Sequence, residues 1–238
     1  IFVSATKWAP AAADVDLAYG DELAALQAGV DALSKICPVH ISFDAKRYPS
    51  SNLNRLKGCE VHLFQGKYPV GNVGVQISHI SPIMKGDTVW TLSLASLAAI
   101  GKLFTTGKVD LSRKVAVTGP AAIAPSYAVA IPGTPVKDFS GWYDKSGAEL
   151  RFISGDVLSG TNVGEDGSLG FFDNQVTLIH EGTERELLGW AKPFRFGKFS
   201  SSRTYFSWLC SKKTYDMDTN VNGGPRAFVM SDVYSKVL

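Results

Sequence analysis

Cysteine is scarce in this chain: Cys37, Cys59 and Cys210 are the three spread over 238 positions. An odd, widely spaced set makes neither a disulfide framework nor a C-x-x-C metal clip. With Asn-x-Ser/Thr missing altogether, a reducing, cytoplasmic setting is expected. Long apolar runs are missing too. The longest, LASLAAIGKLF, carries a lysine and falls short of the roughly 20 residues that cross a bilayer. No basic n-region with an apolar h-region opens the chain, so any membrane association is expected to run through a partner or a further segment. Charge of one sign is also lacking. The 24 Lys and Arg against 22 Asp and Glu leave a net +2, scattered along the chain, which argues against a nucleic-acid partner.

The common catalytic fingerprints are absent as well. There is no G-x-S-x-G nucleophile turn. No G-x-G-x-x-G opens a helix after the first strand; IFVSA is followed by TKWAPAAADVD, too bulky for a pyrophosphate to reach the backbone. GKLFTTGK ends in Gly-Lys but is one residue too long for a phosphate loop, and Val109 stands where Ser or Thr would hold Mg²⁺. At a helix end the dipole repels phosphate, so a C-cap is expected there. Glu165 and Asp166 read as solvated loop carboxylates, with no apolar surroundings to shift them. Cys37–His40 and Cys59–His62 are C-x-x-H pairs with the residue types of a Cys₂His₂ zinc site. Each pair enters a strand, where residues three apart point to opposite faces. Ordinary strand-edge residues are expected, and no metal site. His79 and His180 lack even such a neighbour.

What is present is ample core material, at 45% hydrophobic and 19% charged, which excludes disorder. IFVSA reads as a buried strand from its first residue, Ile1. A native chain rarely begins there, so a fragment of a longer subunit is expected. DELAALQAGVDALSKI puts Leu23, Leu26, Val30 and Leu33 on one helical face, with Asp21 as N-cap. VHISF and CEVHLF follow as strands, a rhythm that favours a parallel sheet. In GKYPVGNVGVQISHISPI, glycines precede an alternating run that reads as a strand, with Val73, Val75, Ile77 and His79 on one face. SLASLAAIGKLFTTG predicts a helix capped by Ser93 and ended by Gly107, burying Leu94, Leu97, Ala98 and Phe104 or close neighbours.

From about residue 112 the texture turns to strands: KVAVTG, YAVAIPG, ELRFIS and NQVTLIH, with TPVKDFSGWYD as a short helical piece. NQVTLIHEGTERELLGW predicts a hairpin with Glu181-Gly182-Thr183 at its turn. GTNVGEDGSLG reads as the most flexible loop. A hairpin, one short helix and further strands describe a β-grasp-like α+β module. Core packing is the expected role of Trp8, Trp90 and Trp142. Around Trp190 and Trp208, however, PFRFGKFSSSRTYFSWL concentrates aromatics with Arg195, Lys198 and Arg203, a composition enriched at protein interfaces. Trp190, Arg195, Arg203 and Trp208 are therefore candidate partner-interface residues. No catalytic centre is visible.

Several stretches together resemble the A-subunit (NqrA) family of the sodium-translocating NADH:quinone oxidoreductase, in a form lacking both ends. They are IFVSA with AAD, YPVG–VGVQI, TVWTLSLASLAAIGKLFTTG, RFISGDVLSG, FFDNQV, ERELLGWAKP, KFSSSRT and VNGGPRAFV, in order along almost the whole chain. The resemblance implies a fold like the flavin-carrying subunit of respiratory complex I and the C subunit of the Rnf complex. That means a Rossmann-like α/β domain over 1–111, an SLBB (ubiquitin-like β-grasp) domain over 112–190, and a connecting segment over 191–238. The Rnf relative follows its tyrosine–proline–x–glycine turn with a glutamate; here Asn72-Val73-Gly74 stands instead. The turn at Tyr68, Pro69 and Gly71 thus looks like an inherited connection whose phosphate role has gone. The helix SLASLAAIGKLF also lacks the acidic residue common in the first turn of the family.

The resemblance further implies a peripheral protein on the cytoplasmic side of the bacterial inner membrane, with no cofactor of its own. NADH, flavins, an iron–sulfur centre and quinone would be handled by other subunits of the NQR complex. Partners would be those subunits, the membrane-embedded B subunit above all, with quinone contacted by the intact protein. A free-standing SLBB-type module binding a glycan or soluble ligand is the alternative, favoured by the β-grasp pattern and glycine-rich loops. A stand-alone nucleotide enzyme is the weakest reading, for want of a phosphate loop and an acid/base pair.

Overall fold

IFVSA forms β1 (Phe2–Ala5), buried on both faces, as the middle of a parallel sheet requires. The computed structural model describes all residues except 7, 67, 68, 144–148, 184, 185, 200–202, 211–213 and 221–238, and leaves the side chains of Ser140, Trp142 and Trp190 undescribed. β1 is flanked by β2 (His40–Asp44), then β3 (Glu60–Phe64), with β4 (Thr91–Leu92) on its other side. The order is β3-β2-β1-β4 and every pairing is parallel. Three helices pack on one face: α1 (Val15–Tyr19), α2 (Leu23–Leu33) and α4 (Leu94–Thr106). They enclose Val3, Ile41, Phe43, Leu26, Val30 and Leu97. The predicted α2 face is right, and it continues through Gly29, which touches the Leu97 carbonyl region of α4.

Local chemistry departs from expectation at several points. Asp21 does not cap α2; Glu22 holds the N-cap position without a side-chain capping bond, and Asp21 pairs with Lys114 at 2.7 Å. The capping carboxylate is Asp14, which accepts from the N–H groups of Asp16 and Leu17 and starts α1, a helix too short to show periodicity. The run after Asn72 is no strand but a helix, α3 (Val73–Ile80). Val73, Gln76, Ile77 and Ile80 also fit a helical face, and covering β1 buries Gln76 and Ile77. α4 has the expected Ser93 cap and the left-handed Gly107, φ 70°. Phe104, however, is 71% exposed, because Gly101 takes the contact with α2.

The second sheet orders its strands β6-β5-β9-β7-β8. They are β5 (Arg113–Thr118), β6 (Ser126–Ala130), β7 (Leu150–Ser154), β8 (Thr161–Asn162) and β9 (Gln175–His180). β5 and β9 run parallel; the remaining pairs are antiparallel. A 3₁₀ segment, Val136–Trp142, lays Val136 and Phe139 on the core of Val115, Val117, Phe152, Val176 and Leu178. The predicted hairpin after β9 is absent among the described residues. β9 is already paired on both sides, and Glu181 turns back to grip Arg151 at 2.7 Å. The glycine-rich loop after β7 is likewise held down: Leu169 is 2% exposed, and its N–H donates to the Thr134 carbonyl at 2.9 Å.

Asp14 gives an acid-sensitive joint. Burial pushes its carboxyl up, but the Arg47 guanidinium and the N–H groups of Leu17 and Asp16 outweigh that and hold it below its usual value. A carboxyl depressed in the folded state contributes stability that is complete above its unfolded pKa of about 3.9, and lost as pH falls through the folded value. Asp14→Ala is expected to cost about 1–2 kcal/mol in urea unfolding at neutral pH. The gap to wild type should narrow below about pH 4 as the carboxylate protonates. An equal gap at pH 7 and pH 3 would exclude the ionised cap.

Candidate functional site at the crevice beside β1 and β4

In an open parallel sheet, ligands bind beyond the carboxyl ends of the strands, at the point where the strand order reverses. Here that place lies between β1 and β4, and a cleft of about 340 Å³ occupies it. Ser4, Thr6 and Trp8 form one wall, continuing from β1. Gly71 and Asn72 bring in the start of α3, and Ser93 and Leu94 the start of α4. Asp156, Phe172, Asp173 and Gln175 reach over from the second sheet.

The two halves of the chain are hydrogen-bonded beside this cleft. The N–H of Ala13 donates to Gln175 Oε1 at 2.9 Å, and the N–H of Asp14 to the Tyr127 hydroxyl at 2.7 Å. Gln175 is itself buried and donates to Thr177 Oγ1 at 2.8 Å. Burial pushes the Tyr19 phenol, also in the lining, above its usual pKa, so it is a neutral hydroxyl at physiological pH.

The charged side chains described in the lining are acidic. Asp156 and Asp173 supply carboxylates, and no Lys, Arg or His lines the cleft among the described residues. Arg113 interacts with Asp173 and Tyr19, but it is buried and donates to the Phe171 carbonyl at 2.6 Å. The glycine turn is also covered: a Cβ at Gly71 would fall 1.8 Å from Cδ1 of Trp8. Its carbonyl, not its N–H, is turned toward the Ser4 and Thr6 hydroxyls, at 3.4 and 3.5 Å. The absence of a side chain at Gly71 thus makes room for the Trp8 indole.

Of the residues singled out in the sequence, Pro69 and Gly71 form this turn, with the Asn72 N–H donating to the Pro69 carbonyl at 2.9 Å; Tyr68 lies outside the described residues. Arg195 is 14% exposed at its side chain, paired with Glu186, and lies 5.5 Å from the Tyr205 ring centroid. Both partners belong to its own segment of the chain. Trp208 is 56% exposed and Arg203 is exposed with φ 59°. The Trp190 side chain lies outside the described atoms. Sequence reasoning missed Asp156, Asp173 and Gln175, which come from loops and a strand far along the chain and carry no local motif. It also missed a cross-strand meeting of His40 with His62, at 3.1 Å; the doubled C-x-x-H spacing was the available signal. No helix among the described residues is long and apolar enough to cross a membrane.

Comparison with known proteins agrees with the resemblance. The family model described as the NqrA second alpha/beta domain matches residues 1–109, and the one described as the NQRA C-terminal domain, an SLBB domain, matches 114–165. The A subunit of the Na(+)-translocating NADH-quinone reductase of Alcanivorax borkumensis is 37% identical over 243 residues, covering 100% of this chain and 53% of that protein. Its counterpart in Serratia proteamaculans is 36% identical with the same coverage. That of Vibrio parahaemolyticus is 32% identical over 241 residues, again with 100% and 53% coverage. The chain thus spans about half the length of the curated relatives it matches. With both domain types in order and similarity along its whole length, the chain belongs to the NqrA family, the A subunits of the Na(+)-translocating NADH-quinone reductase.

Proposed function

We propose that this chain is the core of a peripheral, cofactor-free subunit of a sodium-pumping NADH:quinone oxidoreductase, associated with quinone interaction and with assembly on the membrane subunits. It would sit on the cytoplasmic side of the membrane and lean on the membrane-embedded B subunit. Flavin, iron–sulfur and nicotinamide chemistry would then belong to other subunits. The order β3-β2-β1-β4 matches the first four strands of the doubly wound dinucleotide fold, supporting a Rossmann-like reading of 1–111. A leading hairpin, a short helical crossing and parallel first and last strands support a β-grasp reading of 112–190, with 191–238 as a connecting segment.

The carrying observation is the cleft. A phosphate-bearing cofactor is held by backbone N–H groups together with cations; beside the starts of α3 and α4, the described lining offers Asp156, Asp173 and an indole lying on Gly71, and no cation. A neutral ring carrying carbonyl acceptors meets no such charge penalty, which is compatible with a quinone in the intact protein. FMN, FAD and NADH titrated into the purified protein are expected to give no saturable calorimetric or fluorescence signal. A flavin retained at one equivalent through gel filtration rejects the cofactor-free reading. For assembly, Phe194, Phe196, Trp208 and Leu209 are 76, 47, 56 and 62% exposed, an apolar surface suited to a membrane-subunit contact. Crosslinks from 190–210 to the membrane-embedded B subunit are expected in the assembled complex. An intact complex giving none places the contact elsewhere.

A further inference from the structure

Strand pairing brings three metal-ligating side chains together on the edge of the first sheet, away from the cleft. Glu60 and His62 stand two residues apart on β3 and so share a face. Parallel register sets Glu60 opposite His40 on β2. Nδ1 of His40 lies 3.1 Å from Nε2 of His62 and 3.3 Å from a carboxylate oxygen of Glu60, and the three donor atoms all fall within 4.8 Å of one another. In a tetrahedral zinc centre with bonds of about 2.0–2.2 Å, neighbouring ligand atoms are about 3.3–3.6 Å apart. The two closest spacings are near that edge length.

Neutral His40 Nδ1 has either one proton or one lone pair, which the His62 ring engages, while the Glu60 carboxylate stands 3.3 Å away on the same atom. A cation at the centre accepts a lone pair from all three atoms at once. We propose that His40, Glu60 and His62 form a divalent transition-metal site, best suited to Zn²⁺, with the remaining coordination position left to water. Two imidazole nitrogens and one carboxylate are the ligand set zinc takes when it keeps an open position. His40 is preset for the role, its ring stacked on Phe2 with centroids 4.6 Å apart and planes at 14°. Glu60, 63% exposed at its side chain, leaves an entry path from solvent. The ion would clip edge strand β3 to β2, where side chains on β3 bury little.

The test uses the full-length protein, stripped with chelator and titrated with Zn²⁺ alone against a chromophoric competitor. One equivalent is expected to bind, raising Tm by about 5 °C at a hundredfold excess over Kd. His62→Ala and Glu60→Gln are expected to weaken binding by at least about 100-fold and 10-fold, in the range seen when metal sites lose supporting groups. The pair Cys37→Ser with Cys59→Ser should leave affinity unchanged, because neither thiol belongs to the cluster. X-ray absorption of the zinc-loaded wild type, which needs no variant, should show nitrogen and oxygen neighbours with imidazole scattering and no sulfur. Folded wild type that takes up no equivalent overturns the proposal. So does binding that survives His62→Ala or disappears with the cysteines, or a sulfur neighbour in the absorption spectrum.

Discussion

Gly101→Ala is expected to destabilise the chain by about 3 kcal/mol or more, a fall in Tm on the order of 6–12 °C for a domain of this size. In most exposed helical positions the same exchange stabilises by up to about 1 kcal/mol, since alanine is the better helix former. Here the added methyl would fall 1.7 Å from the carbonyl oxygen of Ala25 and 2.6 Å from its carbonyl carbon. Those are backbone atoms in the facing helix and cannot rotate aside. The helices must separate, and the contacts of Leu26, Val30, Leu97 and Ala98 loosen with them. Gly74→Ala is the matched control: this glycine lies in α3 and a Cβ there meets nothing within 4 Å, so stability should rise by up to about 1 kcal/mol. Thermal unfolding of both variants decides the matter. Equal shifts for the two would show that the α2–α4 approach is looser than described.

Gln175→Leu is the second large effect, expected at about 2–3 kcal/mol. The exchange keeps the volume and removes both polar ends. The Ala13 N–H loses its acceptor at 2.9 Å and Thr177 Oγ1 its donor at 2.8 Å, both at buried positions. Water has little access to replace them, since Gln175 is 3% exposed. The loss should concentrate where the two sheets meet. Amide exchange at Ala13 and through α1 is expected to accelerate more than exchange in β2 or α4. Uniform acceleration across the chain would mean that Gln175 contributes general stability without joining the halves. Because Gln175 also lines the cleft, the variant shows whether the cleft keeps its shape without the joint.

The elements that were legible were those whose cause is local. The Leu26, Val30 and Leu33 stripe, the Ser93 cap and Gly107 each state their structure within one or two turns of backbone. α3 was misread because Val73, Val75 and Ile77 satisfy a two-residue period, while Gln76 and Ile80 also complete a helical one. Only burial against β1 chooses between them. Phe104 was misplaced for a related reason. Periodicity fixes a face but not its centre, and Gly101 lets α2 come so close that the stripe ends before the aromatic ring.

The sequence by itself determined which motifs this protein has to offer. Missing phosphate loops, missing nucleophile turns and balanced charge are properties of composition and spacing, and folding cannot supply residues the chain does not have. Family membership belongs here too, carried by long ordered stretches. Tertiary structure alone decided what those residues face. Strand order brings Asp156 and Asp173 to the end of β1, lays Trp8 on Gly71, and sets His40 against His62 and Glu60. Such meetings depend on register and crossover between segments tens of residues apart, and no local periodicity encodes that distance.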